Sequence, residues 1–171
     1  MNNILEKLGS YQLLTNLLPG AFFGLAIKYF FNMDLPTENV GEDIVVYYFI
    51  GLFISRIGSL VIEPVLKKIR LIKFAKYADF AKAVKSDTKI DILSEMNNYL
   101  RSLLTCVMLL PVVKIAQVLS SHWLWFSTNW KWFVIVILFM LLLFSYRKQS
   151  KYVRNRVEAV NSQAENKSKD G

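Results

Sequence analysis

Residues 44–65 read IVVYYFIGLFISRIGSLVIEPV, an apolar run long enough to cross a bilayer. Crossing the hydrocarbon core takes about 20 mostly apolar residues in a helix. Comparable runs occur at residues 13–31, 99–119 and 123–146. The sequence therefore predicts an all-α polytopic membrane protein, a single membrane domain with four transmembrane helices.

A count of two or three spans is the alternative. Pro111 and Lys114 interrupt the run at residues 99–119, although a lysine can extend its ammonium group to the headgroups. If that run did not cross, the basic segments at residues 67–98 and 147–171 would lie on opposite sides of the membrane. Because basic segments stay in the cytoplasm, the charge pattern favours four spans.

The distribution of charge also predicts the orientation. Residues 67–98 are rich in lysine and are expected to form cytoplasmic amphipathic helices, while residues 147–171 form a tail that begins basic and ends polar. The last stretch of the tail, from residue 161, has the composition of a disordered segment. With residues 1–12 as a cytoplasmic or interfacial N-terminus, both termini are expected in the cytoplasm.

The composition argues against several kinds of site. The chain has 171 residues, is 54% hydrophobic and carries a formal net charge of +8. A single cysteine, Cys106, forms no internal disulfide, and with one histidine, His122, it cannot complete a zinc site. We find no glycine-rich phosphate loop and no serine–histidine pairing. We therefore expect a protein that is not an enzyme and holds no metal or cofactor.

Arg56 is the most unusual residue of the predicted spans. An arginine in mid-membrane costs about 2.5–3.5 kcal/mol on insertion scales. Glu63 is seven residues further on, about two turns away, so we expect an ion pair with another helix or subunit instead of a direct pair. Arg56 and Glu63, together with Asn16 in the first span, are candidates for a pore-lining or gating site. A structural ion pair that fixes the helix register is the equal alternative.

Small residues surround Arg56 and predict a packing face. They are Gly51, Ser55, Gly58 and Ser59, and pairs of them are four residues apart. Small residues at that spacing allow two helices to approach closely, within a subunit or between subunits. This pattern is common in membrane helices.

Three residues are expected to break helices: Pro19 and Gly20 in the first span, and Pro111 in the third. Two interpretations of Pro19 and Gly20 stay open. One is a gate hinge near the cytoplasmic mouth. The other is an interfacial helix that ends near Asn16, with Pro19 in the first turn of the true span.

The basic segment after the second span interleaves lysines with aromatic residues. The candidates are Lys73, Lys76, Tyr77, Phe80, Lys82 and Lys85. One interpretation is topology and contact with lipid headgroups. The other is a phosphate-rich ligand such as a nucleotide signal, because aromatic rings can stack on bases while lysines hold phosphates.

Three stretches carry a resemblance to a known group. Residues 11–20 read YQLLTNLLPG, residues 48–59 read YFIGLFISRIGS and are followed by Glu63-Pro64, and residues 93–101 read LSEMNNYLR. Together they resemble small bacterial membrane proteins, some of which occur in anti-phage defence systems, and the analogy in function is with the channel effector of the Hailong system.

The resemblance implies an antiviral effector in the bacterial inner membrane. Such a protein would be an ion channel that depolarises the cell under control of an oligonucleotide from a partner nucleotidyltransferase. Four short spans cannot enclose a pore alone, so we expect a homo-oligomeric ring, with a tetramer favoured. The alternative is a non-channel membrane anchor or scaffold that recruits a cytoplasmic partner.

Overall fold

The computed structural model describes residues 2–33, 39–87 and 89–169, and over these ranges the chain is helical with no strand. The helices in chain order are α1 (Asn2–Phe31), α2 (Val40–Ile57), α3 (Glu63–Lys68), α4 (Tyr77–Ser86), α5 (Lys89–His122) and α6 (Leu124–Lys169). A π-helical segment, Gly58–Ile62, joins α2 to α3 without a break. The prediction of an all-α protein is confirmed.

Within the described part, three helical stretches are long and apolar enough to cross a membrane. They are Val40–Lys68, Lys89–His122 and Ser127–Asn161, with 29, 34 and 35 residues. The first two contain the predicted spans at residues 44–65 and 99–119, and the third overlaps the predicted span at residues 123–146 from Ser127 onward. The remaining predicted span, at residues 13–31, lies within α1. The length and apolar composition of these three helices are consistent with a membrane protein.

The start of α2 is capped by the residue before it. The Asn39 side chain accepts a hydrogen bond of 3.0 Å from the backbone N–H of Glu42 and donates one of 2.9 Å to the Glu42 carboxylate. The first bond is an N-cap, which satisfies one N–H group that has no partner inside the helix, and the second holds the Asn39 side chain in the capping position. The helix therefore begins at Val40, four residues before the predicted span.

Helices α1 and α2 pack closely where two glycines face each other. A Cβ atom added to Gly20 would overlap the carbonyl oxygen of Tyr47, and one added to Gly51 would overlap the carbonyl oxygen of Asn16. The pairs 20 with 47 and 16 with 51 run in opposite directions, so α1 and α2 are antiparallel. Helix α5 packs across both of them, and α6 lies at the periphery.

The structure corrects the helix breaks predicted at Pro19, Gly20 and Pro111. Both prolines lie inside continuous helices, α1 and α5, and Gly20 is a close-contact position. A proline removes one backbone hydrogen bond, but a neighbouring helix can compensate inside a membrane domain. At Pro19, the Cys106 thiol of α5 donates to the proline's own carbonyl at 3.4 Å, a contact between the two helices that does not replace the missing N–H.

The basic segment at residues 67–98 is also less regular than predicted. Helix α3 ends in a Schellman motif, in which the N–H of Leu71 donates to the carbonyl of Leu66 and that of Arg70 to Lys67. Arg70 takes a left-handed conformation with φ of 60°. The chain is then non-helical until α4 begins at Tyr77.

The last two helices extend beyond the predicted spans. Helix α5 continues the predicted third span back to Lys89, and α6 runs for 46 residues to Lys169. The tail from residue 161 was expected to be disordered, but residues 161–169 are helical. Residues 170 and 171 lie outside the described part. Its lysines, glutamates and glutamine are good helix formers that extend an existing helix.

Candidate functional site

Pro64 explains the π-helical segment and exposes a backbone acceptor. In this segment the N–H of Glu63 donates to the carbonyl of Gly58, five residues back, instead of to Ser59. The next possible donor to Ser59 is residue 64, but a proline has no N–H. The Ser59 carbonyl is therefore left without a backbone donor, and π bulges often occur at functional sites.

Lys148 of α6 fills this position. Its ammonium group donates to the Ser59 carbonyl at 2.6 Å and to the Ser59 hydroxyl at 2.7 Å. The same ammonium lies 3.9 Å from a Glu63 carboxylate oxygen. Lys148 thus contacts Ser59 in the π-helical segment and Glu63 at the start of α3. These contacts hold α6 against the helical stretch Val40–Lys68.

Glu63 is the only buried carboxylate in the described part of the chain, with 5% of the residue exposed. One of its oxygens accepts a hydrogen bond of 2.7 Å from Lys67, which lies one turn further along the helix. The other accepts a hydrogen bond of 2.6 Å from Arg101 of α5. A buried charge is stable only when it is paired and hydrogen-bonded. Each oxygen of the Glu63 carboxylate therefore has a cationic hydrogen-bond donor.

We call Ser59, Glu63, Lys67, Arg101 and Lys148 the Glu63 cluster. It joins three helical stretches at the end of the bundle where the basic segments begin. One carboxylate faces three cations, so the cluster carries excess positive charge. The Arg101 Nε is buried without a hydrogen-bond partner in the described structure, which leaves one donor of the cluster free.

A close approach of the π-helical segment and α5 lies beside the cluster. A Cβ atom on Gly58 would lie 2.6 Å from the Thr105 hydroxyl and 3.4 Å from the Arg101 Cγ. The Thr105 hydroxyl itself donates to the Arg101 carbonyl at 2.8 Å. A side chain at position 58 would push α5 away, so the glycine is needed for Arg101 to reach Glu63.

Arg56 lies about 10 Å deeper along the same helix than Glu63, at 1.5 Å per residue. It is exposed on the surface of the chain and has no ion pair or hydrogen bond with any described residue. It borders a narrow crevice of about 30 Å³ between α2 and α6, lined also by Ser59, Ser145 and Gln149. This volume is large enough for one water molecule, and Ser59, Ser145 and Gln149 give the crevice a polar lining.

The structure does not bring Arg56 and Glu63 into contact, as expected from their separation. Instead it pairs Glu63 with α5 and α6 and leaves Arg56 unpaired in the described part. Asn16, the third candidate, lies half-buried in α1, where its carbonyl oxygen faces Gly51. The three residues therefore do not form one site within a single chain.

The basic aromatic candidates occupy a separate surface. Lys73 and Lys76 precede α4 in the non-helical connection, and Lys82 and Lys85 are exposed on α4. Tyr77 and Phe80 are half-buried, and the Tyr77 ring lies 6.5 Å from the ring of Tyr152 in α6. The aromatic rings thus face the bundle while the lysines face outward.

Sequence reasoning missed Arg101 and Lys148 as partners of Glu63. Both stand at the basic ends of apolar runs, where lysine and arginine are expected for topology alone. The signal that was present is the Glu63-Pro64 pair. An acid at a helix interior requires a cation, and the following proline frees a backbone carbonyl that requires a donor.

Comparisons of the chain with protein-family models, with curated proteins and with solved structures found no match. The resemblance to small bacterial membrane proteins of defence systems therefore stays a prediction that rests on the quoted stretches of sequence.

Proposed function

We propose that this chain is the subunit of an oligomeric ion channel in a bacterial inner membrane. The observation that carries the proposal is Arg56, an exposed cation without a partner in the described chain, on a helix able to cross a membrane. Such a charge is stable only beside water or a partner group. A ring of subunits around an aqueous pore supplies both.

The channel subunit crosses the membrane four times, with α1 as the additional span. Support comes from the packing of α1 along α2 through Gly20 and Gly51. At the other end of α1, the Lys114 ammonium of α5 lies 6.0 Å from the centre of the Phe31 ring. With four crossings, both termini and the basic segments lie in the cytoplasm, as the positive-inside rule requires.

The Glu63 cluster acts in this channel as a fixed point at the cytoplasmic end. It connects the helix that carries Arg56 to α5 through Arg101 and to α6 through Lys148. A packed cluster of this kind has few alternative arrangements, so a rearrangement there moves α6 relative to Arg56. Opening and closing of the pore would then depend on whether Lys148 stays bound.

The channel is an effector of antiviral defence that responds to an oligonucleotide from a partner nucleotidyltransferase. The resemblance supports this role, and so do the outward lysines Lys73, Lys76, Lys82 and Lys85. A ligand bound there would act on α6 through the contact of Tyr77 with Tyr152. Current through the open channel would depolarise the infected cell.

The oligomeric state tests the proposal first. We expect the purified chain in detergent to have the mass of a homotetramer by light scattering, with the detergent contribution subtracted. Chemical cross-linking in native membranes should give a series of gel bands that ends at four subunits. A chain that is strictly monomeric under both conditions would rule out the channel.

The second candidate is a membrane anchor, and the length of α6 favours it. The apolar part of this helix ends near Phe144, yet the helix continues to Lys169 as a long polar rod. A polar helix of this kind can recruit a cytoplasmic protein. Recovery of one stable partner that is lost when residues 150–171 are removed, from a protein that conducts no ions, would favour the anchor.

A further inference from the structure

A second groove lies along α6, next to the contact of Lys148 with Ser59. It has a volume of about 900 Å³ and opens beside the π-helical segment. Leu60 and Phe144 form its apolar end. Four cations line the rest, namely Arg147, Lys148, Lys151 and Arg154.

The spacing along α6 places these side chains on one helical face. Phe144, Arg147, Lys151 and Arg154 follow one another at intervals of three or four residues, which brings successive side chains to the same side of a helix. The face extends over about 15 Å at 1.5 Å per residue. It changes from apolar to cationic where the apolar part of the helix ends.

The groove carries positive charge that the described protein does not neutralise. Lys148 is bound by Ser59 and Glu63, and Arg154 forms an exposed pair with Glu158 at 3.4 Å. Arg147 and Lys151 are exposed and have no ion pair or hydrogen bond with any described residue. Two cations of the groove therefore have no counter-charge among the described residues.

We propose that this groove binds the headgroup of an anionic glycerophospholipid. The phosphate would lie between Arg147 and Lys151, and the start of an acyl chain would pack on Leu60 and Phe144. A groove with an apolar end fits a lipid better than a free oligonucleotide, which has no apolar tail. The position also fits, because the change from apolar to basic residues marks the membrane surface.

Lipid binding would stabilise the contact between α6 and the π segment. Lys148 lines the groove and also binds Ser59, so an anion beside it would hold that side chain in the position where it bridges the two helices. This consequence does not depend on the proposed channel function. A lipid site is equally compatible with an anchor.

The test is lipid binding by the purified full chain in neutral detergent, measured by native mass spectrometry. Phosphatidylglycerol and phosphatidylcholine with the same acyl chains are titrated separately. We expect retention of phosphatidylglycerol and little retention of phosphatidylcholine. Because each surface cation adds about 1 kcal/mol toward anionic lipid, the double variant Arg147→Gln/Lys151→Gln should bind phosphatidylglycerol about 30-fold more weakly.

The matched control is the double variant Lys68→Gln/Lys89→Gln, which removes the same charge from exposed side chains of the basic segment that do not line the groove. It should retain the affinity of the unmodified chain. If the groove variant does not fold, the single variant Lys151→Gln should still lose about fivefold in affinity. Glycerol phosphate without acyl chains should not displace the lipid at millimolar concentration.

Three results would overturn the proposal. Equal losses in the groove variant and the control would mean general attraction to a basic surface. Equal retention of both lipids would remove the role of the anionic headgroup. Binding of a short oligonucleotide in the groove, lost in the groove variant and unaffected by phosphatidylglycerol, would assign the site to another ligand.

Discussion

The Glu63 carboxylate accepts a hydrogen bond of 2.6 Å from the Arg101 guanidinium, 38 residues further along the chain. Both side chains are largely removed from solvent, with 7% of Glu63 and 18% of Arg101 exposed. The contact joins the helix that follows the π segment to the middle of α5. It is therefore a tertiary contact whose loss should affect the whole bundle.

Glu63→Gln should destabilise the protein strongly. The variant keeps the size of the side chain but removes the charge that neutralises Arg101, Lys67 and Lys148. Breaking a buried ion pair by removing one partner costs about 3–5 kcal/mol. Unfolding in detergent, followed by circular dichroism against denaturant concentration, measures the change.

Glu158→Gln is the control for this variant. It removes a glutamate from an exposed pair with Arg154, in which 65% and 71% of the two side chains are exposed. Exposed pairs contribute less than about 1 kcal/mol. If both variants lowered the free energy of unfolding by the same amount, Glu63 would have no special role.

Gly51→Ala should separate α1 from α2. The added methyl group would overlap the carbonyl oxygen of Asn16, and a backbone atom cannot move aside by rotating a side chain. Overpacking of this kind costs about 1–3 kcal/mol. The readout is the midpoint of thermal unfolding in detergent.

Gly41→Ala provides the comparison, because its nearest neighbour is the side-chain oxygen of Asn39 at 3.2 Å. That atom can shift, and alanine is favoured over glycine in a helix. We expect a change within about 1 kcal/mol. A Gly51→Ala protein as stable as Gly41→Ala would show that the two helices do not meet through their backbones.

Single cysteines should label from alternating sides of the membrane. The native Cys106 is buried and is replaced by alanine to give a background without reactive thiols. Cysteines at Asn39 and Ser121 should react with an impermeant maleimide in intact cells, and those at Lys76 and Gln149 only after lysis. Labelling of Asn39 and Lys76 from the same side would contradict four crossings.

Neutralising Lys73, Lys76 and Lys82 together to glutamine should weaken the response to an oligonucleotide. These side chains point outward and have no structural contact in the described chain, so the fold should be preserved. Replacing three other exposed cations, Lys68, Lys89 and Arg156, controls for charge. An unchanged response with correct topology would remove the ligand site from this surface.

The sequence was sufficient to predict an all-α chain with long apolar helices, because runs of about 20 apolar residues form helices in a membrane. It predicted a pair of Glu63 with another helix or subunit only as a possible partner of Arg56. The identity of the cations that bind Glu63 was not predictable. Arg101 and Lys148 are brought to Glu63 by the packing of three helices and by the π segment. Both residues are far from Glu63 in the sequence, so the spacing of residues along one helix does not predict either contact.

The prolines show why other local signals failed. Pro19 and Pro111 disfavour a helix interior, and the sequence alone predicts a break at both. In the structure both helices continue through their prolines: Pro19 is buried between helices, whereas Pro111 is exposed and nothing described packs on it to explain the continuity. Pro64 has the opposite outcome: it changes the hydrogen-bond pattern to a π segment, which creates the acceptor for Lys148.

The most direct test of the channel is the conductance of the purified protein in a planar bilayer, with and without an oligonucleotide extract of the native host. The proposal predicts discrete, extract-sensitive currents for the unmodified chain. It predicts that Arg56→Ala abolishes them or leaves the channel constitutively altered, while Arg56→Lys keeps part of the current. Silence of the intact oligomer in both conditions, or unchanged currents in Arg56→Ala, would contradict the account.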